Sequence, residues 1–140
     1  MNVEIREATT GDIDAVLALW SADADPGRTI IDEPDALRRL LTWPGGALLL
    51  AETERELIGT VIAGWDGWRG NLYRLVVSAE HRRQGVARAL VAEAERRLRE
   101  QGCPRITALV HVGLPEAPKF WKAAGYLYDE PTGRFVRNLG

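Results

Sequence analysis

From Val3 to Arg6 apolar and charged residues alternate, the period-two signature of a half-buried strand. Thr9-Thr10-Gly11-Asp12 follows with helix-capping side chains, and Ile13, Val16, Leu17 and Trp20 then recur at helical spacing. Pro34 suits the first turn of a second helix carrying Leu37, Leu40 and Leu41, and Pro44-Gly45-Gly46 ends it. Ala47 to Glu52 and Leu57 to Trp65 read as strands joined by the polar turn Glu54-Arg55-Glu56. Asn71 to Val77 turns back after Gly67 to Gly70, which predicts an antiparallel meander.

The strongest periodicity comes next. Between Gly85 and Gln101, Val86, Leu90, Val91, Ala94 and Leu98 share one face, with arginines and glutamates on the other. Gly102 stands at the C′ position and Pro104 prevents continuation. Arg105 to Val112 reads as a buried strand, Pro115 to Ala124 as a short helix stopped by Gly125, and Tyr126 to Tyr128 and Phe135 to Leu139 as two closing strands. The predicted order is β-α-α-β-β-β-α-β-α-β-β, a mixed α/β layer architecture with a crossover helix between strands. No repeat, low-complexity tract or linker breaks it, so residues 1–140 are expected to form a single domain.

Composition acts mainly by exclusion. With 140 residues, 46% hydrophobic and 27% charged, the chain has ordinary globular make-up. Its apolar runs fall far short of the ~20 residues of a bilayer span, and its first residues lack a basic stretch followed by an apolar core, so a cytoplasmic protein is expected. Cys103 is the only cysteine and His81 and His111 the only histidines, which argues against a disulfide framework and a Cys/His metal cluster. Net charge is −2, so no long-range attraction for nucleic acid is expected. The basic residues are nearly all arginines, and they crowd at Arg82, Arg83 and Arg88 and at Arg96, Arg97 and Arg99. Any anion site is therefore local.

Val77-Ser78-Ala79-Glu80-His81-Arg82-Arg83-Gln84-Gly85-Val86-Ala87 joins a predicted strand end to the start of the long helix. Such a junction presents unpaired backbone N–H groups where the helix dipole also favours negative charge. Gly85 and Ala87 keep side-chain bulk away from that backbone, and Arg82, Arg83 and Arg88 can add charge-assisted hydrogen bonds, enough for a diphosphate. No Gly-x-x-x-x-Gly-Lys-Ser/Thr string occurs, so a nucleoside-triphosphate loop of that type is excluded.

The element order and Arg82-Arg83-Gln84-Gly85-Val86-Ala87 together resemble the GNAT superfamily of acetyl-CoA-dependent N-acetyltransferases, over essentially the whole chain. Phe120-Trp121-Lys122-Ala123-Ala124-Gly125-Tyr126 looks like that family's second signature. Gly64-Trp65-Asp66-Gly67-Trp68-Arg69-Gly70, with Gly102-Cys103-Pro104, looks like a small bacterial branch of it. The resemblance implies a mostly antiparallel sheet whose central strands splay into a cofactor cleft. It places pantetheine along the backbone of Leu75, Val76 and Val77, pyrophosphate on the Arg82, Arg83, Gln84, Gly85, Val86 and Ala87 turn beside Arg88, and Trp121 near the cofactor. Acetyl would pass directly from the thioester to the amine of a small molecule or peptide.

Catalytic positions depart from the family pattern. Members commonly carry a tyrosine acid where this chain has Trp121, whose indole N–H donates a hydrogen bond but does not usefully transfer its proton. Seven residues earlier Leu114 replaces a frequent asparagine, and Asn71 and Leu109 stand where acidic bases often occur. His111 is a candidate base near neutrality, Tyr126 and Tyr128 are candidate proton donors, and a water relay is an equal alternative. Packing competes as the role of Tyr126. Trp65, Trp68 and Trp121 are candidates for the acceptor pocket. The rival reading from another class is a non-catalytic CoA-binding regulatory or interaction module. An exposed aromatic near the C-terminal strands would mark a homodimer contact.

Overall fold

The computed structural model describes residues 2–23, 32–110, 112–113 and 115–139. They fall into two compact units, Met1–Leu109 and Val110–Gly140.

In the first unit β1 (Glu4–Glu7), β2 (Gly46–Thr53), β3 (Glu56–Trp65), β4 (Gly70–Val77) and β5 (Ile106–Ala108) form one sheet in that order. The first three pairings are antiparallel and β4–β5 is parallel, which gives the expected mixed α/β, mostly antiparallel arrangement. Leu48, Leu49, Leu50 and Ala51 are all buried, because β2 is covered on both faces. Glu54 and Arg55 take φ values of 49° and 67°, the left-handed pair that a tight two-residue hairpin requires.

One face of the sheet is covered by α1 (Ile13–Ala22) and α2 (Pro34–Thr42). There Ile13, Val16, Trp20 and Leu37 pack with Leu48, Leu50 and Val76. The long helix α3 (Val86–Glu100) packs on β2, β3 and β4 and buries Val86, Leu90, Val91, Ala94 and Leu98, the stripe its periodicity predicts. Gly59 permits that approach: a Cβ there would stand 3.0 Å from Leu90 Cδ1 and 3.2 Å from both Val86 Cγ1 and the Val76 carbonyl.

Arg6 ties the sheet edge together. Its Nη2 donates to Asp12 Oδ1 at 2.8 Å and its Nε to Glu52 Oε1 at 2.7 Å. The Arg6 guanidinium holds the Asp12 carboxyl down at about 2, helped by the Thr9 amide. That amide donates to Asp12 Oδ2 at 2.7 Å, closing a capping box over the turn Thr10–Asp12.

The second unit contains α4 (Glu116–Ala123). Gly125, at φ 95°, donates to the Lys122 carbonyl at 3.1 Å, and Tyr126 N donates to the Trp121 carbonyl at 2.9 Å. These are the two bonds of a Schellman stop. The Trp121 and Tyr126 rings meet edge-on across it, centroids 4.9 Å apart.

Two sequence expectations are corrected. The strand read at Arg105 to Val112 is confined to Ile106–Ala108, because its ladder with β4 covers only three residue pairs. Tyr126 to Tyr128 and Phe135 to Leu139 form no strands. Leu127, Phe135 and Leu139 stand almost wholly exposed.

Candidate functional site

β4 is paired unequally along its length. Gly70, Asn71 and Leu72 are flanked by β3 on one side and by Ile106, Thr107 and Ala108 on the other. Beyond Leu72 the β5 ladder stops, whereas β3 continues with Thr60 opposite Val76 and Gly59 opposite Val77. Among the described residues the far edge of Leu75, Val76 and Val77 therefore has no strand neighbour. Val76 turns its side chain into the α1/α2 core, and Leu75 and Val77 are half-buried.

A β-bulge marks the change. Ile62 pairs with Tyr73 and Thr60 with Val76, so Arg74 and Leu75 together face Val61. Arg74 occupies the left-handed region at φ 52°, where non-glycine residues are uncommon. Thr60, a fully buried polar residue, accepts the Trp20 indole N–H at 2.9 Å and donates to the Arg74 carbonyl at 2.9 Å. The Arg74 guanidinium lies 4.8 Å from the centroid of the Trp20 ring and bonds the Asp32 carboxylate.

β4 runs directly into the turn before α3. A 3₁₀ turn, Ala79–His81, is fixed by Ser78 Oγ against His81 Nδ1 at 2.7 Å, which gives His81 a local structural role. Arg83 and Gly85 then adopt φ values of 63° and 83°. A Cβ on Gly85 would meet nothing within 4 Å, so this glycine serves the left-handed conformation and leaves the space beside it open. The first capping bond of α3 runs from Ala89 N to the Gly85 carbonyl at 3.0 Å. Among the described residues, no carbonyl or side chain accepts from the amides of Arg83, Gly85, Val86 or Ala87.

The arginines of this segment differ. Arg82 donates through Nε to the Val77 carbonyl at 3.3 Å and lies 3.6 Å from Asp23 Oδ1, so it braces the turn. Arg83 and Arg88 are exposed and have no hydrogen-bonding or ion-pair partner among the described residues. The result is a row of main-chain donors and two available guanidinium groups at a helix N-terminus, an arrangement suited to a phosphate-bearing ligand.

The structure thus brings together Leu75, Val76, Val77 and the run from Arg82 to Arg88. Trp121, Tyr126 and Tyr128 belong to the other unit: Trp121 and Tyr126 form the edge-on pair of the helix stop, and Tyr128 is exposed. His111 and Leu114 lie outside the described residues. Trp68 is 70% exposed in its turn, with Arg69 4.5 Å above its ring, whereas Trp65 is half-buried. Sequence reasoning missed Trp20, Thr60 and Arg74. The available signal was a threonine inside an otherwise apolar strand run, Ile58 to Ala63. A depression of about 250 Å³ lies elsewhere, among Glu7, Gly45, Arg97 and Gln101 near the other end of α3.

Comparison with known proteins agrees with this geometry. The sequence model described as the acetyltransferase (GNAT) family matches residues 13–126. An acetyltransferase of Photorhabdus laumondii subsp. laumondii is 37% identical over 110 residues, which cover 77% of this chain and 75% of the relative. One of Pectobacterium atrosepticum is 36% identical over 108 residues, covering 77% and 76%. Among solved structures, AAC(6′)-Iy in complex with the bisubstrate analogue CoA-S-monomethyl-acetylneamine superposes with a TM-score of 0.83 at 18% identity, covering 99% of this chain and all of that one. A transcriptional regulator from Bacillus halodurans gives 0.84 at 21%, with the same coverage. At these identities the structural likenesses speak for the fold.

Proposed function

Because the chain belongs to the acetyltransferase (GNAT) family, we propose that it is an acetyl-CoA-dependent N-acetyltransferase acting on a primary amine of a small molecule or peptide. The observation that carries this reading is the open edge of β4 leading without interruption into unbonded amides and unpaired arginines. The donor set suits the group. Leu75, Val76 and Val77 offer a strand edge to the amide-bearing pantetheine arm, and the Arg82 to Ala87 amides with Arg83 and Arg88 offer a diphosphate its counter-dipole and charge.

When bound, acetyl-CoA supplies the acetyl group as a thioester. Direct transfer breaks the carbon–sulfur bond as the amine nitrogen bonds the carbonyl carbon; the amine loses a proton and the leaving thiolate gains one. The chain's contribution is to hold the donor, point backbone N–H groups at the thioester carbonyl and exclude misaligned approach, which supports transfer by proximity and polarisation. His111, Tyr126 and Tyr128 are the proposed proton-handling residues. Tyr128 is the better donor candidate of the two tyrosines, since the Tyr126 ring is committed to the Trp121 contact. The aminoglycoside-type analogue on AAC(6′)-Iy makes cationic amino sugars a sensible first acceptor panel, alongside N-terminal peptides.

Calorimetric titration of the protein with acetyl-CoA tests the first half of the proposal, and micromolar binding is the expected result; no binding refutes it. Release of free CoA thiol across the amine panel tests the second half. Tight binding with no thiol release favours a CoA-binding regulatory module, a reading that the Trp121 substitution motivates.

A further inference from the structure

We propose that Thr60 is a positioning residue for thioester polarisation, acting through the Arg74–Leu75 peptide bond. The inference rests on the acetyl-CoA reading above and goes beyond it by naming what sets the bulge. Thr60 is buried in the middle of the sheet, where an apolar side chain would satisfy packing equally well. Its hydroxyl is used in both directions, accepting from Trp20 Nε1 and donating to the Arg74 carbonyl, each at 2.9 Å. The donor fixes the hydroxyl, and the hydroxyl fixes the carbonyl.

The consequence follows from peptide geometry. A trans peptide sends its C=O and N–H in opposite directions, and no cis bond occurs in the described chain. With the Arg74 oxygen drawn to Thr60, the N–H of Leu75 is turned away from Thr60. That is the stretch of β4 where the β5 ladder has already ended. Arg74 is held in its left-handed conformation by two further contacts, its guanidinium over the Trp20 ring and its bond to Asp32. Trp20 therefore supports the bulge twice, through its N–H to Thr60 and through its ring face to Arg74. Thr60 and Trp20 are themselves buried, so they set the orientation of the donor from within the core.

The test is difference infrared spectroscopy of acetyl-CoA carrying a 13C-labelled acetyl carbonyl, bound to wild type, Thr60→Val and Thr60→Ser, with CoA affinity measured in parallel. Thr60→Val conserves shape but removes the hydroxyl, and should lose at least about half of the wild-type downshift of the carbonyl band, with CoA affinity within about threefold. Thr60→Ser keeps the hydroxyl and should restore most of the shift. If Thr60→Val does not fold, Trp20→Phe carries the test, since it removes the donor that fixes the hydroxyl and should also reduce the shift. A wild-type band in the folded Val or Phe variant overturns the inference alone, as does equal loss in Val and Ser variants. Failure of wild type to bind acetyl-CoA overturns the cofactor reading and this inference with it.

Discussion

Toward its C-terminal end, α3 uses arginine to bond within the protein. Arg96 bonds Glu93 at 2.8 Å and Glu100 at 2.6 Å, and Arg97 bonds Glu93 at 2.9 Å and Glu7 at 2.8 Å. At the first turn of the same helix and just before it, Arg88 and Arg83 have no such partner among the described residues, and the amides around them are equally unengaged. A count of basic residues treats the two clusters alike. The structure separates them residue by residue: Arg96 and Arg97 are paired with neighbouring carboxylates, whereas Arg83 and Arg88 have no such partner among the described residues.

The contrast can be broken most severely at Gly85. Gly85→Val places a β-branched side chain at φ 83° and should displace the neighbouring amides, weakening acetyl-CoA binding about 100-fold by calorimetry. A smaller effect, about 10-fold to 30-fold weaker binding with a shallower dependence on salt, is expected for the double variant Arg83→Ala/Arg88→Ala. Arg96→Ala is the control from the other end, and an effect on cofactor affinity beyond twofold would erase the distinction between the clusters.

The smallest effect concerns acid. Arg96 and Arg97 hold the Glu93 carboxyl down at about 2, as Arg6 does for Asp12. A carboxyl depressed in the folded state stabilises fully above its ordinary value near 4, and that contribution is lost as pH falls toward 2. For the partly solvated Asp12 pair it amounts to about 1 kcal/mol after screening by water. Urea unfolding between pH 5 and pH 2.5 should show it as a falling midpoint, and Asp12→Asn should flatten the slope.

Much of the fold was legible because periodicity reports burial. The α3 stripe from Val86 to Leu98 and the strands flanking Glu54 and Arg55 stand where the pattern puts them. The Tyr126 to Tyr128 and Phe135 to Leu139 readings failed because alternation states which side chains need covering and says nothing of a partner strand. At the candidate site, the Arg82 to Ala87 string was readable because a helix N-terminus is a local feature. The bulge was not, since Thr60 and Arg74 are brought together only by strand pairing and Trp20 comes from a distant helix. Part of the second signature has a plainer origin: Trp121, Gly125 and Tyr126 terminate α4 by their own hydrogen bonds and ring contact.

The half-paired strand has a cost of its own. A strand edge without a neighbouring strand is a template for any extended chain, including another copy emerging from the ribosome or partly unfolded by heat. A ligand that completes the strand would cap that template while adding its binding free energy to the folded state. Occupancy would then govern colloidal behaviour as well as catalysis, so purification in the presence of nucleotide thiol should yield the better-behaved sample.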